Sequence, residues 1–300
     1  MIKRVLCFTN PAYLSLHDCQ MVVEQSTADQ PVPKRTIPIE DIGVVILENK
    51  QITITLALTS ALLDNNCAII TCNDYHLPTG LLLPLDCHNL QSERYQDQIN
   101  ASEPLRKQLW QQTITNKIRS QAYVLNKIQA ENKNMLSWAS SVRSGDADNL
   151  EGRAAVYYWK NIFGDNTFVR GQFKDIQNAM LNYGYSVVRA MMARSLVAAG
   201  LLPTFGIHHH SRYDAYCLAD DIMEPYRAFV DLKVLELLLQ YKDCETLTPT
   251  IKRDLLSLTT ADVMIDGHRS PMMIAMQTTA NSVRQCFSGE ARKIIYPDWQ

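Results

Sequence analysis

Residues Glu103–Ile128, EPLRKQLWQQTITNKIRSQAYVLNKI, decide how the chain folds. Leu105, Leu109, Ile114, Ile118, Ala122, Leu125 and Ile128 recur at spacings of three to five, which lines one face of a single long amphipathic helix. The runs ahead of it lack that period. From Ile2 to about Thr71 they are short and β-branched, IKRVLCF, YLSLH, MVVEQ, RTIPIEDIGVVILE and CAIIT, and they read as strands. Breaks fall at Asn10-Pro11, over Ser26–Pro33 and at the tight turn Glu48-Asn49-Lys50. LTSALLDNN, with Thr59 or Ser60 as a possible N-cap, reads as one short helix.

The expected class is therefore α+β, a small N-terminal β-rich domain followed by a larger all-α C-terminal domain. The domains are placed at 1–77 and 101–300, with 78–100 as a linker carrying a hairpin or extended piece. His76 and His88 stand singly around that linker and read as solvated or locally hydrogen-bonded residues. Beyond the long helix, Ala139–Asp148 is a polar turn, and Asp148 or Asn149 caps a helix that starts near Leu150. NAMLNYGYSVVRAMMARSLVAAGLLP is a second strong helix ended by Gly200. FVDLKVLELLLQ, TPTIKRDLLSL and PMMIAMQTTANSVRQCF supply three more, and the tail ARKIIYPDWQ is basic at one end and broken by proline.

A net charge of −2, from 29 basic and 31 acidic residues, gives no global field for recruiting nucleic acid or an anionic membrane. A local basic face remains. Arg106, Lys107, Lys117, Arg119, Lys127 and Lys133 decorate the long helix with almost no acid among them, which suits either a phosphate-facing stripe or a solvated face. The eight cysteines form no CxxC pair, and no apolar run reaches the ~20 residues of a spanning helix. A cytoplasmic protein with reduced thiols is expected.

The chemistry concentrates at Gly206–Arg227, GIHHHSRYDAYCLADDIMEPYR. Asp221 and Glu224, three apart, share one face of a helical turn, and a histidine from the loop at His208–His210 can fold back toward them. Glu151 lies in the first turn of LEGRAAVYYW. An acid there favours the helix dipole, but the small residues and aromatics around it point to a buried carboxylate that needs a cation. Oxygen ligands with one imidazole and no sulfur suit Mg²⁺ or Mn²⁺. There is no HExxH, GxSxG or GxxxxGK[ST], and acids beside Cys217 would raise rather than lower its thiol pKa. Residue types and spacing alone reach metal-dependent phosphodiester chemistry.

EGRAAVYYW at Glu151, NAMLNYGYSVVR at Asn178 and GIHHHSRYDAYCLADDIMEPYR, in this order, resemble the CRISPR-associated adaptation integrase, the family that inserts new spacers into CRISPR arrays. The last segment has the family's G-x-x-H followed by D-L/I-x-E-P-x-R, and its ADDIMEP form is similar to the variant of type II systems. KIRSQ at Lys117–Gln121 resembles a further family feature. The resemblance implies a metal held by Glu151, His209 and Glu224, the catalytic set, with Asp221 as a further ligand or an acid behind the ligands. Arg227 matches a basic residue kept after these acids, and Asn182 supports the site. Asp220 is taken as a helix cap. Lys117, Arg119 and Lys127 are placed against DNA. His210, Ser211, Asp214 and Cys217 depart from the family's usual residues, which touches the substrate loop and leaves the metal set intact.

The activity so implied is transesterification, with the 3′-hydroxyl of spacer-precursor DNA attacking a phosphodiester at the edge of a CRISPR repeat. The implied partners are double-stranded DNA, a second copy of the chain, a small companion adaptation protein and other type II CRISPR proteins, with no membrane. Two other classes stay open: a helical nucleic-acid-binding subunit with an unused acid cluster, and a metal phosphoesterase acting on a small substrate. A homodimer through the N-terminal domains is expected on two grounds. The apolar stretches VVIL, CAII and LLLPL exceed what a small β domain can hide, and joining both ends of one DNA takes two sites.

Overall fold

Short β-branched runs separated by turn residues build the first of two units, Met1–Asn89. Its strands are β1 (Arg4–Phe8), β2 (Tyr13–His17), β3 (Gln20–Glu24), β4 (Ser26–Thr27), β5 (Gln30–Pro31), β6 (Arg35–Pro38), β7 (Ile42–Leu47), β8 (Thr53–Ile54), β9 (Ala68–Cys72) and β10 (Pro78–Leu82), with one helix, α1 (Leu56–Asp64). The computed structural model describes residues 3–27, 30–31, 33–74, 78–86, 88–164, 168–171, 175–242 and 244–299. His76 lies outside the described residues.

One four-stranded sheet has the order β1-β7-β9-β10, parallel except for the β9/β10 hairpin; a second has the order β6-β3-β2-β8, and β4 and β5 pair as a two-stranded ribbon. The turn between β2 and β3 puts Asp18 and Cys19 at φ 48° and 57°, the left-handed pair that a two-residue hairpin turn with native twist demands. Leu14, Met21, Ile42, Val45, Leu58, Leu62 and Ile69 form the core of the unit. Val44, Val45 and Ile46 of VVIL and all of CAII are buried within the chain and Leu47 is half-buried, so any apolar contact with a second copy falls to residues such as Leu82 and Leu85 of LLLPL, which stay exposed.

Two expectations are corrected in this part of the chain. Helix α1 starts at Leu56 rather than after Thr59 or Ser60, because Thr55 is its cap, accepting from Leu58 N at 3.3 Å. The interval 78–100, expected as a linker with a hairpin or extended piece, does hold β10, the second arm of the β9/β10 hairpin, but it also contains a helix not expected there, α2 (Gln91–Ile99).

Helix α2 opens the second unit, Leu90–Gln300. It continues with α3 (Glu103–Lys127), α4 (Lys133–Ser141), α5 (Leu150–Asn161), α6 (Ile176–Ala198), α7 (Cys217–Met223), α8 (Arg227–Gln240), α9 (Pro249–Leu256) and α10 (Met272–Phe287). Sequence sets the ends: Ser102 caps α3, Asp175 caps α6 and Thr248 caps α9, each accepting a backbone N–H three residues on. Gly200, at φ 74°, turns the chain out of α6.

Helix α6 is buried along most of its length and packs against α7, α8, α9 and α10. It crosses α8 so closely at Gly184 that a Cβ there would stand 2.4 Å from Val230 Cγ1. The unit is not purely helical: β11 (Asp262–Ile265) and β12 (His268–Pro271) form a hairpin whose Asp266-Gly267 turn has both residues at positive φ. The tail is also part of the core, with Ile294 and Tyr296 buried and the Tyr296 hydroxyl 2.8 Å from Thr113 Oγ1 on α3.

Candidate active site

Helix α3 carries the centre of the site. Thr113, Ser120, Gln121 and Val124 are buried at three- and four-residue spacing, and Lys117 falls in phase with them. Its side chain is only 12% exposed, so Lys117 leaves the solvated stripe that sequence assigned to DNA. Its ammonium lies 2.6 Å from Glu151 Oε1 and 2.7 Å from Glu224 Oε2. Arg119 and Lys127 remain exposed on the helix, Lys127 over the ring of Tyr123.

Glu151 reaches that point because the entry to α5 is fixed twice. Asn149, in the left-handed region at φ 50°, caps the helix through Gly152 N, and Asp146 accepts from Leu150 N at 2.9 Å and Glu151 N at 3.0 Å. Gly152 has no room for a Cβ because the Asn149 cap fills the space, so its role is local rather than to admit another backbone. Asp148, the other candidate cap, instead pairs with Arg143.

Glu224 begins a 3₁₀ turn, Glu224–Tyr226, forced between α7 and α8 by Pro225. Glu224, 7% exposed, faces Lys117 and also lies 3.1 Å from Arg227 Nε. Burial alone would raise its pKa, but the charges of Arg227 and Lys117 outweigh burial and hold it below the usual glutamate value. Glu224 Oε2 and Arg227 Nε sit at ion-pair distance from these partners yet off the hydrogen-bond direction.

Asp221, on α7, has other partners. Fully buried, it takes the His209 ring through Nδ1 and accepts from His208 N at 2.9 Å and, more weakly, from His209 N at 3.4 Å. This is why Gly206 is glycine: a Cβ would meet His209 O at 2.5 Å and Asp221 Oδ2 at 2.7 Å. Of the three histidines, His209 is the one oriented by an acid, and that bond raises its pKa against the burial that lowers it; Glu224 and Glu151 add to the rise through their charge. His208 instead stacks flat on Trp110 of α3 at 4.1 Å between ring centres, and His210 is exposed.

Two of the expected ligands, Glu151 and Glu224, thus meet at Lys117, while His209 is held against Asp221. Among the described residues, no three His, Cys, Asp or Glu side chains are arranged as a metal cluster. The physical reason is visible in the contacts, since Lys117 stands between the glutamates and Asp221 is committed to the histidine loop. Asp220 is not a cap; it lies inside α7 and pairs with Arg189, which also reaches Asp214 at 2.8 Å. Asn182 Nδ2 is buried and makes no hydrogen bond among the described residues. Burial raises the Cys217 thiol pKa, which disfavours a thiolate.

Sequence reasoning missed three features here. Lys117 was legible as a site residue from its phase with the buried face of α3. A cavity of about 300 Å³ next to it is lined by Gln121, Trp159, Arg170, Tyr185 and Arg227 among others, and no short motif marks it. Asp231 at its edge is buried and bonded by the Tyr158 and Tyr185 hydroxyls, and burial pushes its pKa up to about 6.

Compared with known proteins, residues 5–245 match the family described as CRISPR associated protein Cas1. The chain is 37% identical over 284 residues to the CRISPR-associated endonuclease Cas1 of Neisseria meningitidis serogroup C (strain 8013), covering 94% of this chain and 91% of that one. Its fold is similar to that of a casposase bound to integration product, with a TM-score of 0.80 at 21% identity over 98% of this chain and 92% of that one. It is also similar to a chain of a Cas6-RT-Cas1–Cas2 complex, with a TM-score of 0.74 at 16% identity over 97% of this chain and 35% of that one. No helix among the described residues is long and apolar enough to cross a membrane. With a family match over most of its length and a relative of this identity, the chain belongs to the Cas1 family of CRISPR-associated proteins.

Proposed function

We propose that this chain is the metal-dependent DNA integrase of CRISPR adaptation, joining the 3′-hydroxyl ends of spacer-precursor DNA to the CRISPR repeat. The observation that carries the proposal is the meeting of Glu151 and Glu224 around one positive charge, beside a histidine whose ring is fixed by a buried acid. The residues fit Mg²⁺ or Mn²⁺. The two carboxylates already gather a cation, Glu224 Oε2 is a buried acceptor whose lysine contact is poorly aligned, and the Asp221 contact at Nδ1 leaves His209 Nε2 as the free ring nitrogen. Glu151, Glu224 and His209 would hold the ion, which supplies charge stabilisation for the phosphodiester exchange when bound.

In that exchange a P–O bond forms to the incoming 3′-oxygen and the P–O bond to the repeat's 3′-oxygen breaks, the proton passing from the first oxygen to the second. One phosphodiester replaces another, so no nucleotide energy source is needed. The chain's own part is positioning: Asp221 fixes the ring of His209, and Arg227 stands beside Glu224 with its planar fork. Exposed Arg119 and Lys127 on α3 offer a path for duplex backbone. Two copies paired through their first units and bridged by a small companion, Cas2 in the solved complex above, would set two sites at a fixed separation. Other type II CRISPR proteins are further partners.

Glu151→Ala tests the assignment in a strand-transfer assay with a 3′-hydroxyl duplex and a repeat-bearing plasmid. Joining should be lost while duplex binding persists. Joining at the wild-type rate would overturn the assignment, and loss of binding together with joining would favour the binding-subunit alternative.

A further inference from the structure

Lys117 has no part in the exchange just described, yet it occupies the centre of the site. Its ammonium bridges the two carboxylates proposed to hold the metal, and a divalent ion cannot join them while it stays, because like charges a few ångströms apart repel strongly at the low dielectric of a buried site. The bridge is also lopsided. Glu151 Oε1 accepts a well-aligned hydrogen bond from the ammonium, whereas the 2.7 Å contact to Glu224 Oε2 is off the best hydrogen-bond direction. The lysine's flexible four-carbon stem opens on the 300 Å³ cavity, whose walls carry two further cations, Arg170 and Arg227. These lie over the ring of Tyr185 at 5.2 and 4.7 Å. Gln121 also lines the cavity and has a buried Oε1 with no partner.

We propose that Lys117 is an exchangeable internal cation: it neutralises Glu151 and Glu224 in the metal-free protein, and metal entry turns it into the adjoining cavity, where it joins Arg170 and Arg227 in receiving a backbone phosphate of DNA. The inference rests on the metal-dependent reading above. It has a thermodynamic consequence that simple ligation lacks. A phosphate in the cavity stabilises the displaced lysine, so DNA tightens metal binding and metal tightens DNA binding by the same factor.

The test is Mn²⁺ titration of the full chain by calorimetry, with and without a short blunt duplex, for wild type, Lys117→Met and Lys117→Arg. Without DNA, Lys117→Met should bind Mn²⁺ on the order of tenfold tighter than wild type, since the competing charge is gone. Lys117→Arg keeps the charge and should show no such gain. The duplex should tighten Mn²⁺ binding by roughly fivefold or more in wild type, and by much less in Lys117→Met. Mn²⁺ affinity in Lys117→Met equal to or weaker than wild type, or undiminished coupling to DNA, overturns the inference while leaving the metal site standing. Wild type that binds no Mn²⁺ removes the metal site and the inference together. Should Lys117→Met fail to fold, an absence of coupling in wild type, or a tenfold gain in Lys117→Arg, is equally fatal.

Discussion

Asp221→Asn isolates the role of the buried acid with little change of shape. In the wild-type chain the carboxylate takes the His209 ring at Nδ1 and accepts from His208 N at 2.9 Å. The amide keeps one acceptor for the backbone and turns an N–H toward Nδ1. The ring then places its proton on Nε2, the nitrogen proposed for the metal. Substitutions behind a metal ligand weaken binding by roughly 10- to 100-fold, or about 1.4–2.8 kcal/mol. The fold should survive. Exchanging charge-assisted hydrogen bonds for neutral ones costs on the order of 1 kcal/mol, against a typical total of about 5–15 kcal/mol. Asp221→Ala is harsher, because it leaves the backbone donor unsatisfied at roughly 1–3 kcal/mol and opens a cavity as well. Mn²⁺ titration, thermal melting and ¹⁵N spectra of the His209 ring separate these effects. An Asp221→Asn protein with wild-type Mn²⁺ affinity and an unchanged ring tautomer would refute the reasoning.

Gly184→Ala should destabilise the α6–α8 crossing by about 1–3 kcal/mol, and Val230→Ala in the same chain should restore part of the loss; melting of the four proteins in the cycle measures the coupling. Gly206→Ala meets a backbone oxygen rather than a side-chain tip, so a melting temperature equal to wild type would contradict the contact described. Asp231 has a folded-state pKa raised from 3.8 to about 6, so the native state binds more protons than the unfolded chain between those values. Stability should accordingly fall as pH rises through about 6, by on the order of 3 kcal/mol from this group, and Asp231→Asn should flatten that decline in denaturant titrations across pH 4 to 7. Sedimentation of the full chain at micromolar concentration should give a dimer, and a monomer would remove the proposed pairing of first units.

The long helix, the caps at Asn149 and Gly200 and the strand-built start were legible because each is a local matter, a period or a turn residue with its own physical cause. Residue types and spacing singled out Glu151, Asp221, Glu224 and one of His208–His210, and resemblance narrowed these to Glu151, His209 and Glu224; the structure brings Glu151 and Glu224 to Lys117 and holds His209 against Asp221. What could not be read is how neighbouring acids divide their work. Asp221 and Glu224 are a helical turn apart, yet Asp221 takes the histidine loop and Glu224 takes Lys117 of α3, and spacing assigns neither partner. Lys117 was grouped with the exposed charges of α3 because a charge on an amphipathic helix is usually solvated, and composition cannot see that two acids from distant segments meet it. The hairpin at Asp262–Pro271 went unread although its Asp266-Gly267 turn is a strong signal, because the surrounding sequence was taken as helical.

Helix α3 also acts as a ruler. Trp110, under the His208 ring, and Lys117, between the two glutamates, are seven residues apart, so they lie about 10 Å apart along the axis and within roughly 20° of the same direction. The histidine loop and the acid pair, Glu151 from α5 and Glu224 after α7, are therefore both gauged against one rigid rod. A single residue inserted between positions 110 and 117 would rotate one contact by about 100° relative to the other, leaving each half of the site intact and the two halves out of register.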